Sequence, residues 1–350
     1  MSAEVDPGTI ADLLGIHRPT PEQAAVIAGP AEPTLVLAGA GAGKTETMAA
    51  RVVWLVANGY ARPGEILGLT FTRKAAQQLS RRIRRRLAAL ARSPLCTGPA
   101  GNGQIAEAIR VEDPQISTYH AFAGTMLGTY GLLVPVEPDS RLLTPTAAFQ
   151  LAYEVVARWE GPLTTRSGAA RVTRDVLTLA GQLSDHLLTT DELREHPDSL
   201  TTLIATLPPG PRQRAAPSKA LTAIADVQGH REELADLVDA VTARMRAESA
   251  LDHGSQMALA ATLARDHPEV GEAERGAFRV VLLDEYQDTG HSQRVLLAAL
   301  VGGGRTPVPA VTAVGDPMQS IYGWRGASAS NLDRFRADFP LADGRGAHVR

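Results

Sequence analysis

Two hydrophobic patterns alternate along the first third of the chain. Short uninterrupted apolar runs at Thr34–Ala38, Ile66–Phe71 and, more faintly, Gln115–Thr118 are separated by stretches of helical spacing. Strands alternating with helices predict a parallel sheet with right-handed crossovers up to about residue 124. From about 125 to 250 the strand signal fades and helical periodicity takes over. Val172, Val176, Leu179, Ala180, Leu183 and Leu187 share one helical face, as do Leu234, Leu237, Val238, Val241 and Met245. Strand signals return at Val280–Leu283 and Ala310–Val314. The economical reading is one α/β domain, residues 1–124 and 251–350, interrupted by a helical inserted domain at 125–250.

Length agrees with that division, since 350 residues exceed the roughly 150 of one average domain. Thirty-five basic against 38 acidic residues give a net charge of -3, which excludes a globally basic binder but not a local basic track. One cysteine, Cys96, leaves no disulfide framework and no cysteine-rich metal centre. No apolar run approaches the ~18 residues that cross a membrane. The stretch Met1–Pro7 has neither a basic head nor an apolar segment, so a cytoplasmic chain without a membrane partner is expected.

Chemistry enters after the first strand. Ala38-Gly39-Ala40-Gly41-Ala42-Gly43-Lys44-Thr45 lies between that strand and the helix-compatible stretch Glu46–Val56. The generic phosphate-loop pattern has Gly where Ala38 stands, yet the essential parts are present. Gly41 and Gly43 let backbone N–H groups curl around a phosphate, Lys44 supplies a point charge, and the Thr45 hydroxyl can ligate Mg²⁺. An Ala/Gly-rich turn would look similar, but its strand-before, helix-after context favours the loop. Asp284 and Glu285 follow a buried run; one can hold Mg²⁺ and the other can polarise water as general base. Alone they would read as a strand entering solvent. Paired with the loop, they supply what nucleotide hydrolysis needs.

Several blocks then carry a family resemblance. Thr20-Pro21-Glu22-Gln23, Leu69–Ala76, Thr118–Ala123, Asp284–Thr289 and Val314–Ala327 occur in the order of the helicase motifs. Together they resemble the UvrD/PcrA/Rep branch of superfamily 1 DNA helicases. Glu46–Val56, Leu251–Met257 and Tyr286 are similar to the B subunit of the actinobacterial AdnAB helicase–nuclease.

The resemblance implies a RecA-like P-loop NTPase domain using ATP and Mg²⁺. It implies nucleotide contacts from Gln23, Ala38, Gly39, Ala40, Gly41, Ala42, Gly43, Lys44, Thr45 and Glu46, with Thr45 and Asp284 on the metal. Lys44, Glu285 and Gln319 would be catalytic. Phe71, Thr72, Arg73, His120, Phe122, Tyr322, Trp324 and Arg325 would contact single-stranded DNA, although the family usually has Asn where Arg73 stands. Aromatic faces suit such a track because they stack on any base.

The implied activity is ATP-driven 3′-to-5′ movement on DNA in repair or double-strand-break end processing. Implied partners are single-stranded DNA, DNA ends and a paralogous helicase–nuclease subunit. The alternative is an ATP- and DNA-binding scaffold without motor activity. The family's second motor domain, with its arginine fingers, is not present by residue 350. The expectation is therefore an N-terminal fragment of low activity, since such fingers are worth roughly 10³–10⁵ in rate. One further feature stands outside the motifs. Arg73–Arg92 holds eight basic residues and no acid, with 81, 84, 85 and 92 on one face: a phosphate track or a solvated face.

Overall fold

Every strand pair among the described residues is parallel. The computed structural model describes residues 4–98, 101–165, 167–208, 210, 217–304, 307–323, 326–328 and 330–350. The strands are β1 Thr34–Leu37, β2 Ile66–Thr70, β3 Gln115–Thr118, β4 Arg141–Leu142, β5 Ala250–Leu251, β6 Val280–Leu283, β7 Ala310–Gly315 and β8 His348–Val349. Six of them form one sheet in the order β3-β2-β6-β7-β1-β8, and β4 pairs with β5. Contacts divide the chain into two units, Met1–Thr125 with Ala261–Arg350, and Met126–Ala260.

The first unit is α/β. All residues of β2, β6 and β7 are buried, which is why their sequences are nearly continuous apolar runs rather than alternating ones. Its core joins β1, β6 and β7 to the helices Lys44–Ala57 and Arg73–Arg92 through Val36, Met48, Val52, Leu55, Leu79, Ile83 and Leu282. Strand order is what positions the site. β7 lies between β1 and β6, with Leu37 opposite Gly315 and Leu283 opposite Ala313. At ~4.8 Å per strand, the carboxyl ends of β1 and β6 therefore open about 10 Å apart on one edge. Parallel α/β sheets bind ligands along that edge.

The second unit is helical, with helices Pro145–Ala157, Ala169–His186, Thr190–Thr206 and Lys219–Ala247 beside the short β4–β5 pair. Val172, Val176, Leu179 and Leu183 meet Leu234, Leu237, Val238 and Val241 in its core. Leu187 does not continue that face. It is a left-handed residue, φ 56°, and Leu188 N–H returns to Leu183 O at 2.9 Å to close the helix.

Candidate functional site

Residues 38–43 join β1 to the helix Lys44–Ala57. Gly41 and Gly43 both adopt left-handed φ, 77° and 79°, which side chains oppose. A Cβ on Gly43 would also sit 2.8 Å from Gln23 Nε2. No side chain caps the helix at Gly43, and the first amides of a helix have no partner within it. Backbone donors at a helix N-terminus form an anion cradle. Lys44 Nζ is buried and makes no hydrogen bond; its nearest acid is Glu285 Oε2 at 3.7 Å. A buried ammonium left without hydrogen bonds is costly, and a phosphate oxygen is the partner this cradle lacks. The donor set therefore fits a nucleoside triphosphate. A cleft of 740 Å³ opens beside it, lined by Gln23, Ala38, Gly41, Lys44 and Thr47.

Gln23 stands in the helix Pro21–Ile27, capped reciprocally with Thr20. Its Nε2 donates to Ala42 O at 3.0 Å and its Oε1 accepts from Thr20 N–H at 3.1 Å, so the amide already touches the loop. Glu46, one residue beyond Thr45, ion-pairs with Arg86 and, at 3.0 Å, with Arg82. The sequence placed Glu46 at the nucleotide but gave no sign of these arginines. They are i, i+4 neighbours on the helix Arg73–Arg92, and only tertiary packing of two helices reveals them.

The two acids leave the end of β6. Asp284 is buried, and burial together with the adjacent Glu285 charge raises its pKa to about 6; Glu285 N–H and Lys44 pull it partly back. Glu285 holds φ 51°, a left-handed conformation rare for a residue with a side chain. Gln287, fully buried and missed by sequence reasoning, explains how that carboxylate is held. Its Nε2 donates to Glu285 Oε2 at 2.8 Å, and its Oε1 accepts from Asp316 N–H at 3.0 Å. Asp316 in turn accepts a hydrogen bond from Gln319 Nε2. A chain of contacts thus runs from Lys44 through Glu285, Gln287 and Asp316 to Gln319. Gly315 is required there, since a Cβ would come within 3.0 Å of Gln287 Oε1. No cluster of three or more metal-ligating side chains exists among the described residues. Mg²⁺ does not require one, because it is commonly held by one or two carboxylates plus substrate phosphates. Thr45, in the first turn of the loop helix, and Asp284, at the end of β6, are the residues that could hold it.

The residues expected at DNA are distributed unevenly. Phe71 follows β2 directly and stacks on Tyr322, centroids 4.7 Å apart and planes 24° off parallel. Thr72 caps the next helix by accepting Ala75 N–H at 3.1 Å, and Arg73 is exposed at its first position. His120 is half-buried in the helix after β3. Phe122 corrects the sequence reading: it is only 2% exposed and belongs to the core, not to a surface a strand could reach. The signal was there, because Tyr119, Phe122, Ala123 and Met126 follow i, i+3, i+4, i+7 spacing and are all buried. Trp324 and Arg325 lie outside the described residues. Tyr119 has its own role: its buried hydroxyl donates to Asp284 O at 3.3 Å, tying β3's helix to the acidic pair.

Residues 19–340 match the family model of the UvrD/REP helicase N-terminal domain. The chain is 28% identical over 326 residues to the ATP-dependent DNA helicase UvrD1 of Mycobacterium leprae, covering 91% of this chain and 36% of that protein. It is 30% identical over 331 residues to DNA helicase IV of Escherichia coli, covering 91% and 43%. With the ATP-dependent DNA helicase Rep of Escherichia coli it shares 29% over 309 residues, covering 88% and 37%. The chain thus spans between a third and a half of the length of these curated relatives.

Proposed function

Because the chain belongs to the UvrD/Rep helicase family, we propose that it is the nucleotide-binding motor part of an ATP-dependent DNA helicase or translocase. The observation that carries this reading is the buried Lys44 ammonium, without a hydrogen bond and 3.7 Å from Glu285, at the mouth of an amide cradle. Residues 1–124 and 251–350 act as the RecA-like motor domain and 125–250 as the helical insertion, a reading the two contact units support.

In this reading Lys44 and the loop amides from Gly39 to Thr45 bind the phosphates, and Gln23 exchanges its internal hydrogen bonds for the adenine edge. Thr45 and Asp284 would hold Mg²⁺, which when bound would supply positive charge against the phosphates. Glu285, fixed by Gln287, takes the proton of the attacking water. Gln319 links that event to the neighbouring loop, whose Tyr322 stacks on Phe71. Those rings with Thr72, Arg73 and His120 receive single-stranded DNA. The UvrD/PcrA/Rep resemblance supports 3′-to-5′ polarity, the AdnAB B-subunit resemblance supports work on double-strand ends beside a paralogous helicase–nuclease subunit, and the opening residues and lone Cys96 agree with a cytoplasmic setting.

The test is binding of Mg²⁺–ATP by the chain, followed by hydrolysis with and without single-stranded DNA. Lys44→Ala is expected to weaken nucleotide binding at least about tenfold and to abolish DNA-stimulated hydrolysis. Equal affinity in the two proteins would remove the phosphate site. Unchanged unwinding or resection by the full-length protein carrying Lys44→Ala would favour the scaffold instead.

A further inference from the structure

The helix Arg73–Arg92 carries eight cations and no acid, and the structure sorts them into two sets. Arg82 and Arg86 are paired with Glu46, and Arg84 with Asp113 at 3.2 Å. Arg73, Lys74, Arg81, Arg85 and Arg92 are exposed and have no ion-pair partner among the described residues. At 3.6 residues per turn, Lys74, Arg81, Arg85 and Arg92 fall within about 20° of one line and span about 27 Å. Exposed Gln77 and Gln78 flank that line.

A face shaped only for solubility intersperses both signs of charge. This one has a single sign, and it sets Arg81 and Arg85 at the i, i+4 spacing where like charges repel. A polyanion laid along the row would relieve that repulsion. The helix also contains no aromatic residue, so it offers nothing for unpaired bases to stack on. The ring pair Phe71–Tyr322 lies beyond its first turn. As the first helix of the crossover from β2 to the parallel β3, it starts at the carboxyl edge of the sheet beside those rings and runs back away from them. Cations without rings suit a polynucleotide whose bases are already paired and turned inward.

We infer that the line Lys74, Arg81, Arg85 and Arg92 is a docking surface for the phosphate backbone of double-stranded DNA, separate from the single-strand face. The biological sense of this surface rests on the DNA-motor reading, but duplex affinity is measured without nucleotide and is decided independently of hydrolysis.

The experiment follows binding of the chain to a duplex of about 20 base pairs, and to one of its strands, as salt is raised. Four phosphate contacts predict a slope of log K against log salt of about -3.6 on the duplex. Replacing three of them, with Arg81→Gln, Arg85→Gln and Arg92→Gln together, is expected to bring that slope to about -1. Duplex affinity at low salt should fall at least about tenfold, and single-strand affinity less than about twofold. Arg85→Gln alone should remove about one unit of slope and guards against misfolding of the triple variant. Arg110→Gln, Arg265→Gln and Arg345→Gln together remove three cations already paired with nearby acids, and should leave the slope unchanged. The assignment is overturned by absent duplex binding, by equal slopes in the wild-type and line variants, by an equal loss on the single strand, or by an equal effect of the control.

Discussion

Lys44 and Arg51 stand about two turns apart on one helix, and their surroundings are opposite. Arg51 is 1% exposed, and no acid among the described residues pairs with its guanidinium. It donates instead to Thr312 Oγ1 at 2.9 Å and to the carbonyls of Val26, Ile27, Gly29 and Pro30 at 2.7–3.1 Å. Burial, with Arg350 nearby, lowers its pKa to about 10, so it remains a cation at neutral pH. Those contacts join the end of the Gln23 helix, the phosphate-loop helix and β7. Lys44 has none of this. The fold consumes the hydrogen bonds of one buried cation and leaves those of the other open. A buried charge whose neighbours complete its donor set is architecture, and one whose neighbours do not is a site.

The largest test of that contrast is Arg51→Met. It leaves four carbonyls and a hydroxyl without their donor, and a loss of about 3–5 kcal/mol is expected in urea or thermal unfolding. A change below about 1 kcal/mol would erase the distinction between the two cations.

Asp284 comes next and has the opposite sign. Its pKa is raised from 3.8 to about 6, so the folded state holds a proton that the unfolded chain releases between those values. Stability therefore falls as pH rises through that window, and the cost is complete above pH 6. Asp284→Asn should make the nucleotide-free chain more stable by about 3 kcal/mol above pH 6. The gain should disappear below about pH 3.5, where aspartate is protonated in both states. A gain that does not change with pH would show that something other than the carboxylate charge is responsible.

The difference between these two kinds of residue also explains what could be read beforehand. The long strands were legible because β2, β6 and β7, buried on both faces, need unbroken apolar runs. β8 was not: two residues, His348 and Val349, carry no period, and only their register with Thr34 and Leu35 makes them a strand. The meeting of Gly43 and Lys44 with Asp284 and Glu285 was legible, because a loop after β1 and an acidic pair after β6 open on the same sheet edge. Arg51 and Gln287 were not, because an arginine inside a helix and a glutamine beside two acids look like ordinary polar residues. Their importance comes from partners far along the chain, Thr312 for one and Asp316 for the other. Phe122 erred the other way, its motif outweighing a core spacing visible in the same helix.

The smallest expected change in stability belongs to Lys44→Met, and it sharpens the comparison most. Methionine keeps much of the lysine stem's volume, removes a buried ammonium and leaves Glu285, whose side chain is 36% exposed, to water. Replacing a poorly satisfied buried charge by an apolar isostere is often neutral or stabilising. The unfolding free energy should therefore stay within about 1 kcal/mol of wild type, in contrast to Arg51→Met. Nucleotide binding should nevertheless fall at least about tenfold, because in the proposed function this ammonium pairs with a phosphate oxygen. If Lys44→Met instead unfolded the chain as Arg51→Met does, the ammonium would already be spent on the fold, and the two cations would be architecture alike.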